Sequence, residues 1–355
     1  MERVMTTTTT YHLLQERLRR APRTWLVTGA AGFIGSHLLE TLLKLEQRVV
    51  GLDNFATGHR HNLDEVQRAV GEAAWSRLRF IEGDISDLAT CREALAGVDA
   101  VLHQAAFVSV PGSIEDPLLN HRSNVTGFLN LLVAAQERGL KRFVYASSSA
   151  VYGNAETLPA REEAVGDALS PYAASKAMDE LYAGVFTRLH GLEAIGLRYF
   201  NIFGPRQDPN GAYAAVIPKW TARLLSGQRG VIFGDGSATR DFCFVGNVVQ
   251  ANVLAATTEN PAAFGEVFNV GNGGATTTRA LYETLRDRLA EVTGREDLRR
   301  LEPRFDPPRP GDIAHSRADI SRAQRLLGFE PDVSVEEGLR RTLAWYAARA
   351  QTPAR

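Results

Sequence analysis

Short apolar runs, each closed by a glycine, an aspartate or small polar residues, recur through the first half of the chain. They are "TWLVTG" (24–29), "RVVGLD" (48–53), "LRFIEGD" (78–84), "VDAVLHQAA" (98–106) and "KRFVYASSS" (141–149). Each is short and continuously apolar, as a strand buried on both faces is. Helical periodicity fills the gaps near 33–45, 87–96 and 115–138. A longer helix, 172–190, precedes a sixth strand, "LEAIGLRYFN" (192–201). Strands alternating with helices predict the α/β class, with a doubly wound parallel sheet covered on both faces.

Past residue 200 the pattern loosens. "FGPRQDPNGAYAAVIPKW" (203–220) and "FDPPRPGD" (305–312) are rich in Pro, Gly and Asn and read as ordered loops at the edge of a second lobe. "GEVFNVGNG" (265–273) reads as one more core strand, with helices near 278–292, 318–327 and 334–348. At the start, residues 1–10 are expected to be loose and 11–20 to form a short helix. The chain thus divides into an extension (1–21), a large sheet domain (22–200 plus about 241–272) and a smaller C-terminal α/β lobe (201–240 and 273–350).

Composition narrows the class. The 355 residues are 44% hydrophobic and 23% charged, and 40 Lys+Arg against 41 Asp+Glu leave a net charge of −1. That is an ordinary globular balance, with no basic excess to suggest nucleic acid and no acidic tail. No run of 18 apolar residues crosses a membrane, and the N-terminus has no apolar signal core. Two cysteines, Cys91 and Cys243, lack metal-ligand spacing, so a reduced, cytosolic compartment is the simple reading. The eight histidines show no metal or triad spacing either, and no metal is expected.

Chemistry enters with "TGAAGFIG" (28–35), which spaces Gly29, Gly32 and Gly35 as G-x-x-G-x-x-G between a strand and a helix. Such a turn lets the backbone approach a pyrophosphate, and the helix N-terminus supplies free N–H groups and positive potential. The next strand ends at Asp53, where a carboxylate accepts from an adenosine ribose and repels a 2′-phosphate, favouring NAD over NADP. Arg60 follows in a looser loop. Asp84 ends the third strand, either as a cap or in reach of an adenine amine.

"SPYAASK" (170–176) puts Tyr172 and Lys176 four apart on one helix face. A free phenol is a poor base at neutral pH, and a cation within a few ångströms stabilises its phenolate. That spacing is common on ordinary helices; what sharpens it is "YASSSAVYG" (145–153), a strand ending in three hydroxyls. From there Ser148 is able to donate to the substrate oxygen that Tyr172 deprotonates.

Together these motifs resemble the extended short-chain dehydrogenase/reductase family over about residues 22–348. More narrowly, "LRYFNIFGPRQDPNGAYAAVIPKW", "GDGSATRDFCFV" and "RPGDIAHS" resemble the nucleotide-sugar 4-epimerases, most closely their bacterial UDP-N-acetylglucosamine branch. The resemblance implies a Rossmann-like NAD-binding domain and a UDP-sugar-binding lobe. It implies a catalytic triad of Ser148, Tyr172 and Lys176, with Ser149 a second hydroxyl at the sugar; Tyr172 and Lys176 also touch the cofactor. It places NAD contacts at Gly29, Gly32, Phe33, Ile34, Gly35, Asp53, Asn54, Thr57, Gly58, Asp84, Ile85, Gln104, Ala105, Ala106, Asn124 and, near the nicotinamide, Tyr199. It places the substrate at Asn201 (diphosphate or sugar), Val216 and Lys219 (uridine side), Val231 and Phe233 (uracil), Arg240 and Arg309 (diphosphate) and Asp312 (ribose). Two arginines at one diphosphate make chemical sense, because guanidinium forks pair bidentately with phosphate.

The implied reaction is reversible: C4 of the sugar is oxidised to a ketone by tightly bound NAD, the ring turns about its diphosphate, and reduction on the other face inverts C4. Ser149 and Ala150 stand where related dehydratases carry an Asp-Glu pair, so elimination of water lacks its proton carriers. Ser316, four after Asp312, is small at the position where the resemblance to the epimerases places a gate near C2 of the sugar. UDP-GlcNAc and UDP-GalNAc are therefore expected, with UDP-Glc and UDP-Gal as further substrates. A UDP-glucuronate or UDP-glucose 4-epimerase is the alternative, and a non-catalytic NAD-binding protein a distant one. The resemblance also implies a homodimer packed through the helices near 115–138 and 172–190.

Overall fold

The computed structural model describes residues 9–155, 157–211, 214–308 and 314–350. Residues 1–8, with most of the expected loose start, and the expected diphosphate and ribose contacts Arg309 and Asp312 lie outside the described residues.

In chain order the strands are β1 (Thr24–Thr28), β2 (Arg48–Asp53), β3 (Leu78–Glu82), β4 (Ala100–His103), β5 (Arg142–Ser148), β6 (Glu193–Tyr199), β7 (Asn201–Phe203), β8 (Val231–Phe233), β9 (Thr239–Arg240), β10 (Phe242–Phe244), β11 (Val267–Val270), β12 (Thr276–Thr277) and β13 (Arg304–Asp306). Seven of them form one sheet in the order β11-β6-β5-β4-β1-β2-β3, every pair parallel. Each apolar run singled out above contributes one of these seven. The chain starts at β1, winds outward to β3, then crosses back to β4 and winds the other way. The crevice between the carboxyl ends of β1 and β4 is therefore the switch point where open parallel sheets bind ligands.

One face of the sheet packs on helices Phe33–Lys44, Val245–Thr257 and Ser321–Leu327, joined by the N-terminal helix Thr10–Arg20. The other face packs on Leu88–Ala94, Gly127–Glu137 and Pro171–His190. A third core gathers Phe203, Trp220, Phe244, Tyr282, Leu285 and Leu343 around three two-stranded pairings, β7–β10, β8–β13 and β9–β12. Each fully buried large apolar side chain contributes about 1.5–3 kcal/mol, so this smaller cluster is a substantial core outside the main sheet.

Local sequence explains several boundaries. Helix Pro171–His190 starts where Ser170 accepts from the Ala173 N–H at 3.1 Å with proline in the first turn. It ends at Gly191, whose φ of 63° is the left-handed cap that glycine adopts without strain. β4 stops at His103 because the next two N–H groups, of Gln104 and Ala105, turn to the Thr28 hydroxyl, both at 3.1 Å.

Four differences from expectation stand out. The helix expected over 115–138 runs as Pro117–Asn120, a π-helical stretch His121–Thr126 and Gly127–Glu137. Helix Val216–Leu225 starts inside the segment expected to be loop, and Arg60–Val70 forms a helix that was not anticipated. Val245–Thr257 was also missed. Every residue of it but Gly246 is buried, so it shows no polar face and no amphipathic period.

Candidate active site

The glycine turn forms a tight hairpin of backbone. Gly29 N–H and Ala30 N–H donate to Leu52 O on β2, and Gly32 N–H donates to Gly29 O. Gly29 has φ 66°, and a Cβ there would sit 2.9 Å from the Ala105 nitrogen, so the turns after β1 and β4 touch backbone to backbone. A Cβ on Gly35 would lie 2.0 Å from Gly29 O. Helix Phe33–Lys44 follows, and no side chain caps its N-terminus. Its first N–H groups and the positive end of its dipole are open to an anion.

Asp53, at the end of β2, is buried. Its Oδ2 accepts from the Ala31 N–H at 2.9 Å and its Oδ1 from the Phe55 N–H at 2.8 Å. Burial raises its pKa, and these two donors oppose that. The carboxylate thus ties the glycine turn to the following loop, and each oxygen keeps a lone pair for a ribose hydroxyl. Gly58 closes on it, since a Cβ there would meet Asp53 Oδ1 at 2.9 Å. Thr57 is exposed at the rim. Asn54 donates to Asp84 Oδ2 at 2.9 Å, so the ends of β2 and β3 are joined as well. Ile85 is buried beneath them.

Across the crevice, Gln104, Ala105 and Ala106 leave β4 half-buried. Gln104 accepts from the Tyr199 hydroxyl at 3.0 Å and donates to Asn252 Oδ1 at 3.0 Å, and Asn252 donates to the same hydroxyl at 2.8 Å. Burial pushes the Tyr199 phenol well up, so it stays protonated and rigid at the end of β6.

Helix Pro171–His190 packs along β5 and the turn Ser149–Tyr152. Tyr172 (8% exposed) and Lys176 (2%) are buried on that helix. The Tyr172 N–H donates to Ser113 Oγ at 3.1 Å, and Lys176 Nζ donates to Ala146 O on β5 at 2.9 Å. Ser148, the last residue of β5, accepts from the Ala150 N–H at 3.1 Å, and Ser149 opens the next turn; both are half-buried. The π stretch aims Asn124 into this region. Its amide donates to Phe107 O, Asn120 Oδ1 and Ser175 Oγ and accepts from the Phe107 N–H. Asn124 therefore holds the loop after β4 and the Tyr172–Lys176 helix in one register, and a π-bulge at a functional site is a recurrent device.

On the lobe side, Asn201 N–H donates to Asp241 O at 3.1 Å, which brings Asn201 beside Arg240. Arg240 Nη1 donates to the carbonyls of Thr239 and Ala314. Ser316 N–H donates to Thr239 O at 3.0 Å, so the segment bearing Ser316 lies along β9. Val231 and Phe233 are half-buried on β8, Val216 is half-buried at the start of helix Val216–Leu225, and Lys219 is exposed on that helix. Phe33 and Ile34 pack against the lobe's core from the cofactor side.

Sequence reasoning missed several residues that hold this arrangement. Asn252 sits on the unanticipated buried helix. Asp241 accepts from the N–H groups of Asn272, Gly273 and Ala318, which fixes the Ser316 segment against β10. Arg206 and Asp179 are buried charged side chains at this end of the fold. The sequence offers no signal for their burial: Arg206 stands in a Pro- and Gly-rich segment and Asp179 beside a second acid, Glu180.

Residues 25–271 match the NAD dependent epimerase/dehydratase family. The UDP-glucose 4-epimerase of Mycolicibacterium smegmatis is 39% identical over 92% of this chain and 99% of its own. Among solved structures, the UDP-N-acetylglucosamine 4-epimerase of Methanobrevibacter ruminantium, in complex with UDP-N-acetylmuramic acid, is 37% identical with a TM-score of 0.82, over 92% of this chain and 99% of that one. The UDP-glucuronic acid 4-epimerase of Bacillus cereus, in complex with UDP-glucuronic acid and NAD, is 31% identical with a TM-score of 0.79, over the same shares. An uncapped helix N-terminus, glycines where a Cβ would collide and a carboxylate at the end of β2 are what a dinucleotide needs. The chain belongs to the NAD-dependent epimerase/dehydratase family, and the cradle at the carboxyl end of its sheet fits that family's cofactor, NAD.

Proposed function

We propose that this protein is a UDP-sugar 4-epimerase with tightly bound NAD, acting on UDP-N-acetylglucosamine and UDP-N-acetylgalactosamine and also on UDP-glucose and UDP-galactose. The observation that carries the reading is that Ser148 ends β5, while Tyr172 and Lys176, one turn apart, are buried on the helix packed along that strand, with Lys176 Nζ bonded to Ala146 O. The large sheet unit is the NAD domain and the smaller lobe holds the UDP-sugar.

NAD, held by the glycine turn and Asp53, would supply the acceptor and then the donor of the C4 hydride. Tyr172 removes the proton of the sugar 4-hydroxyl and gives it back after the ring has turned. Lys176 supplies the adjacent positive charge, and Ser148 orients the 4-oxygen. Arg240, with Arg309, anchors the diphosphate while the sugar turns, and that tether makes the return step effectively intramolecular. Val231 and Phe233 take the uracil, Val216 and Lys219 the uridine side, and Asn201 the diphosphate. Ser149 and Ala150 leave no carboxyl group at the position where elimination needs one.

The N-acetylated pair is favoured by Ser316, a small half-buried side chain on a segment anchored to β9 and β10. A homodimer is supported by an uncovered apolar face. Leu181, Val185 and Leu189, spaced four apart on the helix that carries Tyr172, and Ile114 and Leu118 (81% exposed) on the short helices packed against it are all exposed. The two buried free thiols, Cys91 and Cys243, accord with a reducing, cytosolic compartment.

Purified protein, with no NAD added, is expected to interconvert UDP-GlcNAc and UDP-GalNAc. Turnover of UDP-Glc and UDP-Gal alone would refute the N-acetyl preference, turnover of UDP-glucuronate would move the reading to that substrate, and no turnover of any UDP-sugar would refute the epimerase. Sedimentation of the same sample as a monomer would refute the dimer.

A further inference from the structure

Lys176 is tethered by more than its place on the helix. Nζ donates to Ala146 O at 2.9 Å and to Asp179 Oδ2 at 3.2 Å, and both charged side chains are almost wholly buried, at 2% and 1% exposure. Asp179 lies one turn further along the same helix. Its second oxygen, Oδ1, is buried with no hydrogen-bond partner among the described residues.

Fold stability does not account for this pair. The cost of desolvating two charges roughly cancels their attraction, and apolar side chains of similar volume often replace a buried pair without loss. An orphaned buried oxygen adds cost, and such groups concentrate at functional sites. Glu180, the next residue, is already engaged by the Arg198 guanidinium and the Ser147 hydroxyl. Asp179 is thus the carboxylate that Lys176 pairs with. An ammonium has three N–H donors, and Ala146 and Asp179 take two of them.

We propose that Asp179 is a positioning residue of the reaction centre: its carboxylate fixes the Lys176 ammonium at the end of β5 and offsets part of the positive charge that Lys176 presents to Tyr172. The inference rests on the roles of Tyr172 and Lys176 proposed above. The other ionisable groups packed around the pair do not change charge near neutrality. Burial keeps Tyr145 on β5 protonated, and burial together with the Lys176 charge holds His103 on β4 neutral, with a pKa of about 3. Glu180 on the same helix and Arg198 on β6 neutralise each other at 2.7 Å. Burial lifts the Asp179 carboxyl to about 7 against the pull of Lys176.

Asp179→Asn keeps the shape and removes the charge. Withdrawing a carboxylate from beside an ammonium makes that ammonium easier to deprotonate and leaves its field on a neighbouring phenol undiminished. The alkaline limb of the pH profile of kcat/KM, measured on the UDP-sugar the wild type turns over fastest, is expected to move to lower pH by about one unit, and the acid limb, where the wild-type carboxyl is itself protonated, by less. Bound NAD is expected to be retained. A second readout needs no turnover. The raised carboxyl pKa makes the wild type lose stability as pH rises from about 4 to about 7, and the amide has no such proton to lose. The Tm of Asp179→Asn relative to wild type is therefore expected to climb across that window. Should the amide not fold, Asp179→Ser, with room for a water, is expected to show the same two shifts. Profiles that stay in place, or a rate lowered equally at every pH in step with a lower Tm, would make Asp179 a packing residue and overturn the proposal. Tyr172→Phe and Lys176→Met run alongside: turnover surviving in them overturns the roles on which the inference rests, whereas collapse there with an unmoved Asp179→Asn profile overturns the inference alone.

Discussion

Arg206 Nη2 lies 2.6 Å from Glu40 Oε2 and joins the loop after β7 to the helix that opens the glycine cradle. The same guanidinium reaches His37 Nδ1 at 2.8 Å, and His37 Nε2 contacts Pro205 O at 3.0 Å. Arg206 holds a left-handed φ of 64°, a strain the surrounding contacts must outweigh. The helix after the glycine turn and the loop after β7 are therefore one mechanical unit. Arg206→Met leaves Glu40 without its buried partner and is expected to lower stability by at most about 3 kcal/mol, the low end for a broken buried pair because Glu40 keeps contact with water and its 2.6 Å pair with Lys44. KM for the UDP-sugar is expected to rise while NAD stays bound. Urea unfolding and steady-state kinetics on the same variant check both.

The glycine cradle gives a sharper steric test. A Cβ on Gly35 would sit 2.0 Å from Gly29 O and 2.7 Å from Gly29 C, both backbone atoms that cannot rotate away. Gly35→Ala is expected to open the turn, to purify without NAD and to lose about 3 kcal/mol of stability. Gly274→Ala, where a Cβ meets nothing within 4 Å, is the control and is expected to be neutral. Absorbance of the released nucleotide after denaturation reads the first effect.

The seven sheet strands were legible because a strand buried on both faces is written as a continuous apolar run, and the cradle because only glycine fits Gly29 and Gly35. Helix Val245–Thr257 was not, since burial all round erases the period that marks a helix. The residues proposed to meet the ligand, such as Tyr172 and Ser148, carried a motif. Those that aim them did not. Asn252 reaches Tyr199 across 53 positions and Asp241 reaches Ala318 across 77, and no local pattern encodes such partners.

His103 predicts acid lability. The Thr28 hydroxyl accepts from two backbone N–H groups, so it donates its own proton to His103 Nδ1 at 2.7 Å, and the ring stays neutral. Burial, with the Lys176 charge, lowers its pKa to about 3. Between that value and the unfolded pKa of about 6.5, the unfolded chain holds the extra proton, so stability falls as pH falls. The slope from this one ring is at most about 1.4 kcal/mol per pH unit. His103→Gln has no proton to bind in either state, and its urea midpoint is expected to fall less steeply than the wild type's between about pH 6.5 and pH 4.

Tyr172→Phe removes one hydroxyl from a buried ring whose backbone N–H stays bonded to Ser113. Turnover is expected to fall about 10³-fold, the scale of a lost general base, with NAD content and UDP binding largely kept. Near-wild-type turnover would end the assignment of Tyr172 as the base.

Ser316→Tyr tests substrate choice. The Ser316 N–H is fixed to Thr239 O, and Ala318, two residues on, is fixed to Asp241, so the segment cannot swing aside for a larger side chain. If Ser316 gates the pocket as proposed, a phenol ring there takes the space an N-acetyl group at C2 requires, whereas a bare 2-hydroxyl needs far less room. The UDP-GlcNAc/UDP-GalNAc pair is expected to lose about 100-fold in kcat/KM and the UDP-Glc/UDP-Gal pair to change by less than about threefold, since steric exclusion discriminates on this scale. The ratio of the two pairs in one preparation is the measurement, because it cancels differences in NAD loading and in the fraction of folded enzyme. If the N-acetylated pair is spared, Ser316 does not gate the pocket, and the preference for that pair loses the residue that argues for it.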